Sequence, residues 1–274
     1  QTGTACEEWA RLRRGTKGWS RRVRLAETPN FPDANRILFT DSRARLWLMW
    51  PAIIANRWET AILKYRITTD TPNLKWDISD NVFFIPPNFE ARVKAAAAPL
   101  LEKATGREAA YVKHVIELAG DKFASRIGWM PRTHPLELPS GRVLVPLYSD
   151  GYSFSIIAIT NDGGATWTAS EPIIGPGAVQ PSLVRRKDGS IVAYMRDNGP
   201  APKRVMTSES NDNGQTWTPA VDTDILNSGT SVEAIALRDG TWLMVNNDTE
   251  KGRNALAVTL SDDRVAGDAL ATSY

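Results

Sequence analysis

Over most of the chain, apolar residues come in short runs rich in Val, Ile, Leu, Tyr and Trp, divided by Gly, Asp, Asn, Ser and Pro. The run 191–195 follows the turn Asp188-Gly189, and the run 143–148 follows Pro139-Ser140-Gly141. Runs of this length between turn residues predict β-strands joined by tight turns. One stretch breaks the pattern. Residues 89–103 are Ala-rich, residues 107–119 share their helical composition and spacing, and Thr105-Gly106 separates them, which predicts a two-helix insertion at about 88–122.

A longer period overlies the strand pattern. Thr160-Asn161-Asp162-Gly163-Gly164-Ala165-Thr166-Trp167 recurs 50 residues later as Ser210-Asn211-Asp212-Asn213-Gly214-Gln215-Thr216-Trp217. A third start, Ser261-Asp262-Asp263, follows and then loses the pattern, and Thr68-Thr69-Asp70 with Trp76 is a degenerate earlier copy. The aspartate can accept bonds from the N–H groups of its own turn, glycine permits positive φ, and tryptophan can fold under the hairpin. Glycine turns at Gly141, Gly189 and Gly240 run in step with these motifs. Each repeat reads as four strands, the unit of a β-propeller blade. Blades are expected at 31–80, 128–175 and 176–225, with most of a fourth at 226–263 and the outer half of an earlier one at 8–27, all in a single domain over 1–274.

Composition narrows the partners. Thirty-three basic residues nearly balance 31 acidic ones, which argues against nucleic acid. No apolar run approaches a membrane span. One cysteine excludes an internal disulfide framework, two histidines argue against a histidine-rich metal site, and no cofactor is expected. Ten tryptophans suit blade cores and sugar platforms alike.

At its Asp-boxes the chain resembles the BNR-repeat, sialidase-like superfamily of six-bladed propellers. The stretches from Arg126 to Pro135, Tyr194-Met195-Arg196-Asp197-Asn198-Gly199, Asn227-Ser228-Gly229, Asp239-Gly240 and Asn246-Asn247 fit its bacterial exo-α-sialidase-like type. The resemblance implies an all-β propeller and an exo-glycosidase, outside the cell or in the periplasm, acting on an anionic glycan. Family members grip the substrate carboxylate with three arginines, use a tyrosine–glutamate pair as nucleophile and an aspartate as acid/base. Arg196 and Arg253 match two of the arginines, and Arg36-Ile37-Leu38 is a partial match to the third. Where the family has glutamate, this chain has Gln180, which cannot activate a tyrosine. The chain also stops short of the family's nucleophile blade, so an incomplete ring with exposed edges covered by a second copy is expected.

The blade pattern selects an axial face independently. In each blade the first strand starts, the second ends and the third starts on one side, with the Asp-box turns on the other. This selects His134, Tyr148 and Glu233 as candidate catalytic groups, and Arg132, Gln180, Tyr194, Arg196, Arg204, Asn246 and Arg253 as substrate-binding groups, with Asp150 among them. Arginines, aromatics and amides together suit an anionic sugar. Each residue also has a structural reading: Arg196 as the ion-pair partner of Asp197, His134 as a strand cap, the tyrosines as packing, Glu233 as a solvated carboxylate. Two further functions stay open: a polysaccharide lyase using His134, Tyr148 and Arg132 on a uronate, and a non-catalytic glycan binder.

Overall fold

The computed structural model describes residues 8–11 and 18–261. Cys6 and the Asp262-Asp263 of the third motif lie outside the described residues. The two N-terminal strands are β1 (Glu8–Ala10) and β2 (Val23–Ala26). The first blade holds β3 (Ile37–Thr40), β4 (Leu46–Ile53), β5 (Ala61–Thr68) and β6 (Ile78–Asn81). Helices α1 (Phe89–Leu101) and α2 (Gly106–Gly120) follow. The second blade holds β7 (Met130–Pro131), β8 (Leu136–Glu137), β9 (Val143–Ser149), β10 (Phe154–Thr160) and β11 (Thr168–Ala169). The third holds β12 (Ala178–Arg185), β13 (Ile191–Asp197), β14 (Arg204–Ser210) and β15 (Val221–Leu226); the fourth holds β16 (Glu233–Ala236), β17 (Trp242–Asn247) and β18 (Leu256–Ser261).

Every sheet is antiparallel and follows sequence order from the inner strand outwards, giving a four-bladed β-propeller arrangement among the described residues. The six-bladed family has two blades more. Alternation along each strand feeds two cores at once. Val145 and Ile156 face Trp47, Tyr65 and Ile67 of the first blade, while Leu144 and Ile157 face Leu183, Ala193 and Met195 of the third. Burying one such aliphatic side chain stabilises by about 1.5–3 kcal/mol relative to leaving it in water.

The repeated turns carry this packing. Asp162 accepts bonds from Thr166 N (2.9 Å) and from the Thr160 and Thr166 hydroxyls (2.8 and 2.5 Å). Asp212 repeats the set with Thr216 N (3.0 Å), Ser210 Oγ (2.8 Å) and Thr216 Oγ1 (2.6 Å). Gly214 has φ +85°, and a Cβ there would stand 3.0 Å from Leu144 of the preceding blade. Trp167 lies edge-on to Trp47 and Tyr65 across the blade gap, at 6.3 and 5.6 Å between ring centroids. Each turn therefore staples its blade to the one before.

The helices seat Phe89, Val93, Val115 and Ala119 in the core between the first two blades. Trp129 is buried there, stacked on Tyr152 at 5.6 Å, so it packs a core and is no sugar platform. Among the described residues, no helix is long and apolar enough to cross a membrane.

Candidate functional site

Strand register separates the two ends of the propeller. Ser149 pairs with Phe154 at one end of the second blade, and Val143 pairs with Thr160, where the Asp162 turn begins, at the other. The candidate chemistry collects at the first end.

Gln180 is the pivot. Strand β12 bulges between Val179 and Ser182, and Gln180 takes φ +57°, a left-handed conformation that costs a side-chain-bearing residue about 1–2 kcal/mol. Thr133 Oγ1 donates to Pro181 O and pins the bulge to the second blade. The bulge turns the Gln180 side chain, 6% exposed, onto the axis. Such strain persists where the surroundings over-determine it, as at binding sites.

Around Gln180 the four blades each contribute to one ring of polar side chains, linked by a chain of hydrogen bonds. Asn35 Nδ2 donates to Tyr148 Oη at 3.0 Å. Arg132 Nη1 donates to Asn35 Oδ1 at 3.4 Å, and Arg132 Nε donates to Ser231 Oγ at 3.3 Å. Ser231 Oγ donates to Gln180 Oε1 at 2.6 Å, and Gln180 stands near enough to the Tyr148 hydroxyl to act on it. Burial raises the Tyr148 phenol above its ordinary value, aided by the Asp150 charge and opposed by the amides of Gln180 and Asn35 and by Arg132. Tyr148 is therefore a neutral phenol.

Two polar groups flank the ring. On one side His134 Nδ1 lies 2.5 Å from Glu233 Oε1, and Ser182 Oγ lies 3.2 Å from the same oxygen. On the other side Arg196 and Glu59 stand near enough to Asp150 for their charges to act on it. Asp150 stands at the end of β9, with an exposed edge but many protein atoms around it. That burial raises its carboxyl above the ordinary value; Arg196 pulls it back and the Glu59 charge pushes it further up. Glu59, in the 3-10 turn Trp58–Thr60, reaches this place because Gly128 and Gly151 leave room for it. A Cβ on Gly128 would lie 2.7 Å from Glu59 O, and one on Gly151 would lie 3.0 Å from Glu59 Cγ.

Arg196 does not pair with Asp197. The Asp197 carboxylate is taken by the N–H groups of Gly199 (2.7 Å) and Arg204 (3.2 Å), while Arg196 Nη2 reaches Asn198 Oδ1 at 3.3 Å. Arg196 Nε is buried with no hydrogen-bond partner among the described residues. Arg196 as a whole is partly exposed, and a guanidinium binds a carboxylate through its paired N–H groups.

Sequence reasoning brought His134, Tyr148, Glu233, Arg132, Gln180 and Arg196 to this end of the molecule, and they lie together. Tyr194 does not join them. It sits two residues deeper in β13, 1% exposed, packed edge-on to Trp242 at 6.4 Å between the third and fourth blades. Arg204 bonds Glu250 (2.7 Å) and Lys203 O (2.8 Å) at the rim. A third strand starts two strand spacings, roughly 10 Å, from the inner one, too far out for its first residue to line the axis. Arg253 lies in the exposed turn before β18, outside the ring. Asn246 is buried and donates from Nδ2 to Leu226 O at 3.1 Å, beside the ring but not in it.

Asn35, Ser231 and Glu59 were not among the candidate residues. Asn35 and Ser231 precede the inner strands of their blades, so the axial rule extended two residues upstream finds both. Nothing local marks Glu59. Its approach to Asp150 exists only because the first two blades pack together.

Comparison with known proteins follows the same lines. Residues 124–268, more than half of the chain, match the model of the BNR repeat-like domain. Among curated proteins nothing matches the chain. A protein of unknown function from Dyadobacter fermentans DSM 18053 is similar with a TM-score of 0.61 at 15% identity, over 90% of this chain and 65% of that one. The NanB sialidase of Streptococcus pneumoniae is similar with a TM-score of 0.62 at 12% identity, over 92% and 54%. The Hadza microbial sialidase Hz136 is similar with a TM-score of 0.59 at 16% identity, over 91% and 49%. The chain thus spans about half to two thirds of the length of these proteins, and at such identity the likeness is one of fold.

Proposed function

Since the chain belongs to the BNR repeat-like domain family, we propose that it is a carbohydrate-active propeller protein that releases a terminal acidic sugar from a glycan. The observation that carries this reading is the Asp150–Arg196–Glu59 cluster beside the Tyr148 ring. The guanidinium groups of Arg132 and Arg196 bind the sugar carboxylate. Asp150, its carboxyl raised by burial, gives its proton to the glycosidic oxygen as the bond to the anomeric carbon breaks. Glu59 takes a proton from the water that attacks that carbon. Tyr148 and the neutral Gln180 orient the sugar by hydrogen bonds; the amide supplies no charge to make the phenol a nucleophile, so direct attack by water inverts the anomeric configuration.

The His134–Glu233 pair favours a second reading. Glu233 engages Nδ1 and no described residue bonds Nε2, which suits Nε2 to abstract the proton α to a uronate while Tyr148 protonates the leaving oxygen.

Incubation with sialosides and uronides separates the readings. Free acidic sugar, inverted at the anomeric carbon by NMR, supports hydrolysis, and Asp150→Asn then lowers kcat by about 100-fold or more at unchanged melting temperature. Full activity in that variant overturns the role of Asp150. Because the acid must carry its proton, activity falls as pH rises through the raised Asp150 value. Absorbance from an unsaturated uronate supports the lyase; binding without turnover leaves a glycan-binding module.

A further inference from the structure

The turn that carries Asp150 is tied to the helical insertion as well as to its own blade. Strands β9 and β10 meet over Asp150-Gly151-Tyr152-Ser153, where Ser153 N donates to Ser149 O at 2.9 Å. Tyr152, two residues after Asp150, is 4% exposed. Its Oη donates at 2.8 Å to Leu118 O of α2, one of the last carbonyls that a helix leaves open. Tyr111 Oη, also from α2, donates to Tyr152 O at 3.4 Å. The Tyr152 ring stands edge-on to Phe89 of α1 at 5.2 Å.

Glu59 depends on the same rings. It packs against Gly128 and Gly151, and the chain neighbours of these glycines, Trp129 and Tyr152, stack with 7° between their planes. Trp129 Nε1 donates to Ser125 O at 3.0 Å, in the turn that leaves α2. Gly128 N donates to Ala61 O at 2.8 Å, two residues past Glu59. The stacked pair therefore sets how far apart Gly128 and Gly151 stand, and with them Glu59 and Asp150.

We infer that the two-helix insertion positions both carboxyls, with Tyr152 and Trp129 as the positioning residues that fix the gap between Asp150 and Glu59. The spacing of two carboxyls decides whether a water fits between base and sugar, so the helices govern the rate without touching substrate. The inference rests on the proposed roles of Asp150 and Glu59 and adds what holds them in place.

Tyr152→Phe tests it, because this change removes the bond to Leu118 O and keeps the stack. Two measurements use the whole chain. One is kcat and KM across pH with sialyllactose and with a glucuronyl-galactose disaccharide. The other is the carbon-13 NMR titration of the Asp150 carboxyl, assigned with Asp150→Asn. The groups that act on Asp150 are Arg196 of β13, Glu59 of the 3-10 turn and Tyr148 of β9. A loosened turn gives Asp150 more water, so its carboxyl should titrate lower than in the unmodified protein, and the falling limb of activity should move to lower pH. kcat is expected to fall about tenfold at unchanged KM. Tyr65→Phe is the control. It removes a buried bond of the same kind, to Gly164 O at 2.7 Å, in the same core but at the Asp-box end. It should lower the melting temperature by a similar amount and leave the Asp150 titration unmoved. An unchanged Asp150 titration in Tyr152→Phe overturns the inference; so does an equal shift in Tyr65→Phe. A shift confined to Tyr152→Phe, in a protein that turns over neither probe, supports the positioning and overturns the hydrolytic reading.

Discussion

The third and fourth blades derive from the same repeat, yet their middle strands live in different surroundings. In the third blade, Ile191 to Met195 are all buried, because neighbours cover both faces of the sheet. In the fourth, β17 alternates. Trp242, Met244 and Asn246 are buried against the third blade, while Leu243 and Val245 stay partly open. Leu256, Val258 and Leu260 of β18 continue that open face at 70%, 42% and 49% exposure. The composition of the two strands is similar; what differs is how many sheets press on them. A blade is therefore defined by its sequence, whereas the energy of each side chain is set by the blade next door.

The comparison is broken most severely at a residue that two sheets share. Leu183→Ala, buried between the second and third blades, is expected to cost about 2–5 kcal/mol, read as a fall in the urea midpoint at constant m. A loss near zero would mean that the blade cores relax independently.

Asp212→Ala is expected to cost about 1–3 kcal/mol, because it strips the acceptor from Thr216 N, Ser210 and Thr216 in a turn that staples the third blade to the second. Acid should act through the equivalent turn in the second blade. The bonds from Thr166 lead in holding Asp162 down at about 2, below its ordinary 3.8. Its contribution is complete above the ordinary value and is lost as pH falls through about 2. Melting curves over this range should show the acid loss diminished in Asp162→Asn.

The smallest effect belongs to the open face of the fourth blade. Leu260→Lys should change stability by no more than about 0.5 kcal/mol, since its side chain is half in water already. A loss of several kcal/mol, accompanied by a change in sedimentation, would show this face to be covered in solution by a second copy.

Much of the fold was legible from two turns 50 residues apart. Asp162 and Asp212 must satisfy their own turn N–H groups wherever the blades go, so the motif is local and its period counts blades. The axial rule reached Arg132, Tyr148, Gln180, Arg196 and Glu233 for a similar reason: strand ends are set by turns. It failed at Tyr194, Arg204 and Arg253. Whether a residue near a strand end faces the axis, a core or the rim depends on how deep it sits and how far out its strand lies, and neither distance is written in the repeat.

By itself, then, the sequence determined the blades, their turns, the helical insertion between the first two, and the neutral amide at position 180. Those features depend on contacts among near neighbours in the chain. Only the tertiary structure decided that Asn35, Arg132, Tyr148, Gln180 and Ser231 gather in one ring, and that Glu59 comes beside Asp150. These groups lie tens to nearly two hundred residues apart. They meet because packed blades bring their strand ends to a common axis, and a bulge at Gln180 turns one more side chain into it.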